Sequence, residues 1–135
     1  MIYGIGTDVC SIARMRAAVA RHGDRFAQRV LGESELREYA RRLAKVEQRG
    51  INYLATRFAA KEAFSKSIGL GLHHPMRWSD CEILKLPSGQ PTIKLHGALK
   101  AWCAARSLRF LVSVSDEADT ALAMVVAEVF AAPAS

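Results

Sequence analysis

No apolar run in this chain approaches the ~20 residues that cross a bilayer, so no membrane span is expected. Its start, Met1-Ile2-Tyr3-Gly4, lacks a basic stretch followed by a long apolar core. That argues against a secretory signal and for the cytoplasm. Cysteine is scarce: Cys10, Cys81 and Cys103 are isolated and odd in number, which suggests reduced thiols rather than a disulfide framework. The four histidines show no zinc-like spacing with them. Aromatic residues make up only 7% of the chain, with no basic–aromatic interleaving of the kind that stacks single-stranded nucleic acid. Acidic residues are outnumbered by basic ones, 13 to 19, leaving a net charge of +6 and an expected acidic or phosphorylated partner.

With 135 residues, half of them apolar, the chain is long enough to bury a real core in one domain. The expected domain spans 1–130, with a frayed tail over 131–135. Residues 2–9 read as a strand whose period puts Gly4, Gly6 and Asp8 on one side. That side is nearly bare, as where a backbone or ligand comes close. Asp8 also reads as a strand end, or as a rival of Ser11 for the cap of the next helix. Ser11 to His22 reads as that helix, with Gly23 as its stop and Asp24 capping a second. Arg14, Arg16, Arg21, Arg25 and Arg29 make this the strongest basic cluster of the chain, opposed only by Asp24.

A third helix is expected from Ser34 to Gln48, with Leu36, Tyr39, Ala40 and Leu43 inward and a basic outer side. Gly50 separates it from a central helix over 53–68, with Asn52 as N-cap and Gly69 as stop. At about 100° per residue, Ala55, Ala59, Glu62, Ala63 and Lys66 share one side of this helix. Spacing alone reads Glu62 and Lys66 as an ordinary surface pair. Gly69-Leu70-Gly71 opens a loop whose amides could face a phosphate, though a plain C-cap fits as well. The second half is expected to hold a hairpin (81–86 and 92–95), a short helix (97–106) burying Leu99, Trp102 and Cys103, and two apolar strands (109–115 and 121–130). An acidic turn over 115–120 joins those strands. Early helices with mostly antiparallel strands at the ends give an α+β fold, helices packed on the sheet.

Gly4-Ile5-Gly6-Thr7-Asp8-Val9, Arg57-Phe58-Ala59-Ala60-Lys61-Glu62-Ala63 and Ser88-Gly89-Gln90-Pro91 occur in this order. Together they closely resemble the bacterial holo-acyl-carrier-protein synthases, the small class of 4'-phosphopantetheinyl transferases. The resemblance implies that family's fold, Mg²⁺ dependence, and transfer of phosphopantetheine from coenzyme A to a serine of acyl carrier protein for fatty acid synthesis. By the same resemblance, Asp8 and Glu62 are metal ligands and, with Lys66, catalytic. Arg57 and Lys66 would hold cofactor phosphates, joined by Gly69 and Gly71. Lys61 is a weaker candidate. Arg14, Arg21 and Arg25 would dock the acidic carrier, and the chain would be a homotrimer with shared active sites. Two departures stand out: Asp116 where many relatives carry His, and Leu70 where they usually carry Thr. The alternative is a non-catalytic basic module that binds an acidic protein or nucleic acid. Asp8 and Glu62 discriminate, because a pure anion binder gains nothing from carboxylates among its cations.

Overall fold

Helix α4 (Glu47–Ile68) runs through the middle of the fold, and the other elements pack around it. The computed structural model describes residues 1–130; the expected tail, 131–135, lies outside the described residues. Almost every residue of α4 from Gly50 onward is buried, which is why its apolar residues show so little one-sidedness. One side receives an antiparallel sheet of β1 (Ile2–Ser11), β5 (Thr120–Val129) and β4 (Leu108–Glu117), in that order. The other receives α1 (Ile12–His22), α2 (Asp24–Val30) and α3 (Glu33–Lys45). A separate hairpin of β2 (Cys81–Lys85) and β3 (Pro91–Leu95) precedes α5 (Gly97–Ala105). The fold is therefore α+β in a single small domain, as expected. Among the described residues no helix is long and apolar enough to cross a membrane.

Gly4 and Gly6 turn their bare side to α4. A Cβ on Gly6 would collide with the main-chain oxygen of Ala63, and one on Gly4 with that of Ser67. The alanines of α4 supply the matching clearance: Ala55, Ala59 and Ala63 are all fully buried. Strand β1 thus lies directly on the helix backbone, and Asp8 is carried to the helix edge.

The boundary between α3 and α4 differs from expectation. Gly50 lies inside α4, where a side chain would run into Leu43. The break falls instead at Val46, extended at φ −145° and ψ 115°, a shape that suits a β-branched residue. Asn52 is one turn inside the helix and caps nothing; Gln48 Nε2 donates to its Oδ1. Ala40 is exposed, while Glu35 takes an inward place on α3 beside Tyr39. The basic outer side of α3 is largely paired: Arg37 with Glu33, and both Arg41 and Arg42 with Glu38. Trp102 is only half-buried, whereas Leu99 and Cys103 enter the core as expected. The acidic connection shrinks to Ala118-Asp119, because β4 continues through Glu117 opposite Thr120. Asp116 is therefore a strand residue, not a loop residue.

Candidate active site

Ser11, not Asp8, caps α1: its hydroxyl accepts from the Arg14 amide at 3.2 Å. That leaves the half-buried Asp8 carboxylate to Lys66, whose Nζ lies 3.1 Å from Asp8 Oδ1 and 2.9 Å from the main-chain oxygen of Thr7. Lys66 is thus tied to β1 rather than to Glu62, and the simple surface pair expected from spacing does not form. Glu62, one turn earlier on α4, accepts from the Trp78 indole N–H at 2.9 Å. Among the described residues, Asp8 Oδ2 and Glu62 Oε2 make no hydrogen bond.

Cys10, two residues past Asp8 on β1, is buried beside this edge of α4. Its thiol is pushed up to about 11, chiefly by burial and next by the Asp8 carboxylate; Arg14 opposes the rise and Glu62 adds to it. Cys10 is thus a protonated, inert thiol at neutral pH. Beside it lies a cavity of about 260 Å³, lined by Cys10, Ser11, Arg14, Met15, Phe26 and Phe58 among others.

Arg14, Arg21 and Arg25 are exposed along α1 and α2 and have no carboxylate partner within 4.0 Å among the described residues. Arg16 differs: it bonds Glu47 at 2.6 Å and reaches Gln48, fastening α1 to the start of α4.

Arg57 is not with this group. Positions 57 and 66 fall about 180° apart on a helix that turns about 100° per residue, so the two cations point to opposite sides of α4. Arg57 is buried, lies 4.3 Å from the centre of the Tyr53 ring, and donates to Thr56 Oγ1; its Nε has no partner among the described residues. It borders a second cavity of about 580 Å³, whose walls include Arg42, Lys85, Gln90, Ser113 and Asp116. An arginine with a buried, unsatisfied donor beside Arg42 and Lys85 is suited to an anion. Asp116 enters as the opposing charge and accepts from Asn52 Nδ2 at 3.4 Å.

Gly69 takes the left-handed conformation, φ 74°, and its amide closes α4 by bonding the Lys66 oxygen. It therefore serves as the plain C-cap. Gly71 also has positive φ, and its main-chain oxygen accepts from Ser65 Oγ at 2.6 Å, which pins the loop to the helix. Lys61 is fully buried against Glu35 and has no access to a ligand. Sequence reasoning missed two residues of this neighbourhood. Glu35 follows Gly32 at capping-box spacing, and its Oε1 does accept from the Gly32 amide, so a signal was present. Trp78 sits on a short 3-10 turn (Trp78–Asp80) with no periodicity to announce it.

Asp8 and Glu62 offer oxygen donors only, which fits a hard divalent cation such as Mg²⁺. No group of three or more His, Cys, Asp or Glu that could hold a metal exists among the described residues. A cation here would draw its other ligands from substrate phosphate and water.

Residues 4–125 match the 4'-phosphopantetheinyl transferase superfamily. The chain is 62% identical over 128 residues to the holo-[acyl-carrier-protein] synthase of Acidovorax sp. (strain JS42), covering 95% of this chain and 98% of that one. It superposes on the crystal structure of the holo-[acyl-carrier-protein] synthase of Neisseria meningitidis with TM-score 0.87 and 40% identity, covering 95% of this chain and 99% of that one. The Helicobacter pylori synthase, solved in complex with coenzyme A, matches with TM-score 0.76 and 32% identity over 92% of this chain and 99% of that one. The order of motifs, the helix-on-sheet architecture and these likenesses agree: the chain is a transferase belonging to the 4'-phosphopantetheinyl transferase superfamily.

Proposed function

We propose that this protein moves the 4'-phosphopantetheine group of coenzyme A to a serine of apo acyl carrier protein, in a Mg²⁺-dependent reaction that supplies holo carrier for fatty acid synthesis. The observation that carries the reading is the contact of Lys66 with Asp8 at the edge of α4, with Glu62 one helical turn before Lys66, near arginines that have no carboxylate partner among the described residues. A binding-only basic module would have no use for the two carboxylates.

Asp8 and Glu62 would hold the cation. Mg²⁺, when bound, neutralises the pyrophosphate and stabilises the charge that builds on the leaving phosphate. Lys66, already drawn to Asp8, adds a positive charge at the same place and orients a phosphate oxygen. The carrier serine oxygen bonds to the pantetheine-side phosphorus. The bond to the other phosphate breaks, adenosine 3',5'-bisphosphate leaves with the electron pair, and the serine proton is released. Arg14, Arg21 and Arg25 orient the acidic carrier and steer its approach.

The assembly we propose is a homotrimer with shared sites. The outer face of the three-stranded sheet supports it: Ile5, Val9, Leu111 and Leu122 are 58%, 65%, 56% and 47% exposed. Contiguous apolar surface of this kind is the mark of a contact between chains. Arg57 supports it too. Its cavity lies across α4 from Lys66, so one chain contributes the carboxylate half of a site and a neighbour the arginine half. Gly69 and Gly71 border the phosphates through the loop after α4. The protein works in the cytoplasm on this reading.

The test is to mix the protein with apo acyl carrier protein, coenzyme A and Mg²⁺ and follow the carrier's mass. Gain of one phosphopantetheine, lost on chelation of Mg²⁺, is the expected result. An unchanged carrier mass would refute the reading.

A further inference from the structure

Glu62 is reached by a side chain that is itself tightly held. The Trp78 ring lies against Phe58, with centroids 5.5 Å apart, and the Arg29 guanidinium sits 5.6 Å from its centre. The main-chain oxygen of Trp78 accepts from Lys61 Nζ at 2.9 Å. Lys61 is fully buried and also donates to Glu35 Oε1 at 2.5 Å and to the Val30 oxygen at 2.7 Å. Glu35 in turn accepts from the amides of Gly32 and Ile83. So residue 61 clamps the backbone of Trp78, and residue 62 receives the indole N–H of that same Trp78. The two bonds close a ring between α4 and the 3-10 turn.

We propose that Trp78 is a positioning residue. Its indole N–H holds Glu62 by Oε1 and leaves Oε2 for the cation, while the buried Lys61–Glu35 pair keeps Trp78 in place. The inference rests on the metal assignment made under the proposed function. Its physical basis is that a Glu side chain has several rotatable bonds, and ordering it costs free energy at the moment of metal binding unless a neighbour has already done so. Outer partners of metal ligands typically change affinity by about 10–100-fold when removed. Indole is a donor only, with a single N–H. Trp78→Phe therefore keeps an aromatic ring at the position and removes that one bond.

The experiment is a Mn²⁺ titration followed by electron paramagnetic resonance, with coenzyme A bound, on the wild type, Trp78→Phe, Glu62→Gln and the double variant. Trp78→Phe is expected to bind Mn²⁺ about tenfold more weakly. The double variant is expected to bind no more weakly than Glu62→Gln, because Trp78 acts through Glu62. Wild-type affinity in Trp78→Phe, with binding lost in Glu62→Gln, would overturn the positioning role and leave the metal assignment standing. Wild-type affinity in Glu62→Gln would overturn the metal assignment and this inference with it. Should Trp78→Phe not fold, Trp102→Phe leaves Trp78 as the sole indole. Saturable Mg²⁺-dependent change in its emission, absent from Trp102→Phe/Glu62→Gln, is then expected; unchanged emission in Trp102→Phe would sink the proposal.

Discussion

Lys66 Nζ lies 3.1 Å from Asp8 Oδ1, joining the edge of β1 to the last turn of α4. The pair is substantially solvated, with the lysine side chain 55% exposed, so it contributes under about 1 kcal/mol to stability. Its value lies in the site. Asp8→Ala is expected to lower kcat/KM for phosphopantetheine transfer by at least about 100-fold, since loss of a ligand costs more than loss of an outer partner. The melting temperature should move by only a few degrees. Retained transfer at low Mg²⁺ would contradict the assignment.

Gly6 is a backbone contact point rather than a turn. A Cβ there would meet the Ala63 oxygen, which belongs to α4's own hydrogen-bond ladder and cannot yield. Gly6→Ala should destabilise the fold by roughly 1–3 kcal/mol or more, as overpacking does. Gly69→Ala is the control: it is left-handed at φ 74° and ψ 14° with open space around it, so its cost is confined to the backbone, about 1 kcal/mol. Urea midpoints would separate the two.

Much of this was legible from residue spacing. The bare side of β1 announced a close approach, and what it meets is the alanine stripe of α4. What spacing concealed was partner choice. Glu62 and Lys66 stand one turn apart, yet each bonds outward, to Trp78 and Asp8, because β1 and the 3-10 turn bring better partners than the helix itself. Arg57 and Lys66 are both expected at cofactor phosphates by resemblance, although helical geometry sends them to opposite sides of α4. The end of α3 differs from expectation because Gly50, a helix-breaking residue by type, lies inside α4, where its bareness admits Leu43. The buried Lys61–Glu35 pair joins elements distant in sequence, and no local pattern encodes such a pair.

Glu38 gives a pH-dependent signature. Hydrogen bonds from Arg41, then Arg42, hold its carboxyl down at about 2. A depressed folded value stabilises above the unfolded carboxylate range, about 4.3, and the gain is lost as pH falls toward 2. The group is partly exposed, so solvent screening limits the gain to under about 1 kcal/mol. Glu38→Gln should therefore be slightly less stable than the wild type at pH 7, with the gap shrinking as pH falls and closing only below about 2. Denaturant titrations across that range would show the difference closing; a constant gap would count against the assignment.

Arg14 is exposed at the mouth of the cavity beside Cys10 and lacks a carboxylate partner among the described residues. Reversing its charge should leave the fold intact and slow carrier association most at low salt, because steering acts through unscreened charge. Arg14→Glu is expected to raise KM for the carrier several-fold with kcat little changed. An unchanged KM at low ionic strength would remove Arg14 from the docking surface.

The outer sheet face makes assembly testable without touching the site. Leu122 pairs with Val9 across β1 and β5, and both side chains point away from α4, as does Met124 two residues on. Their inward neighbours Ala121, Ala123 and Val125 are buried against the core, so an outward substitution leaves that core alone. If the proposed trimer forms, Leu122→Glu is expected to shift the molar mass in solution from three chains to one while keeping the monomer's secondary structure. Transfer should fall with it if the sites are shared as proposed, because the Arg57 cavity and the Asp8–Lys66 edge of one chain lie on opposite sides of α4. Light scattering and the carrier-mass assay on the same sample would check both. A Leu122→Glu monomer with full activity would mean that each chain holds a complete site, and the shared arrangement would have to be abandoned.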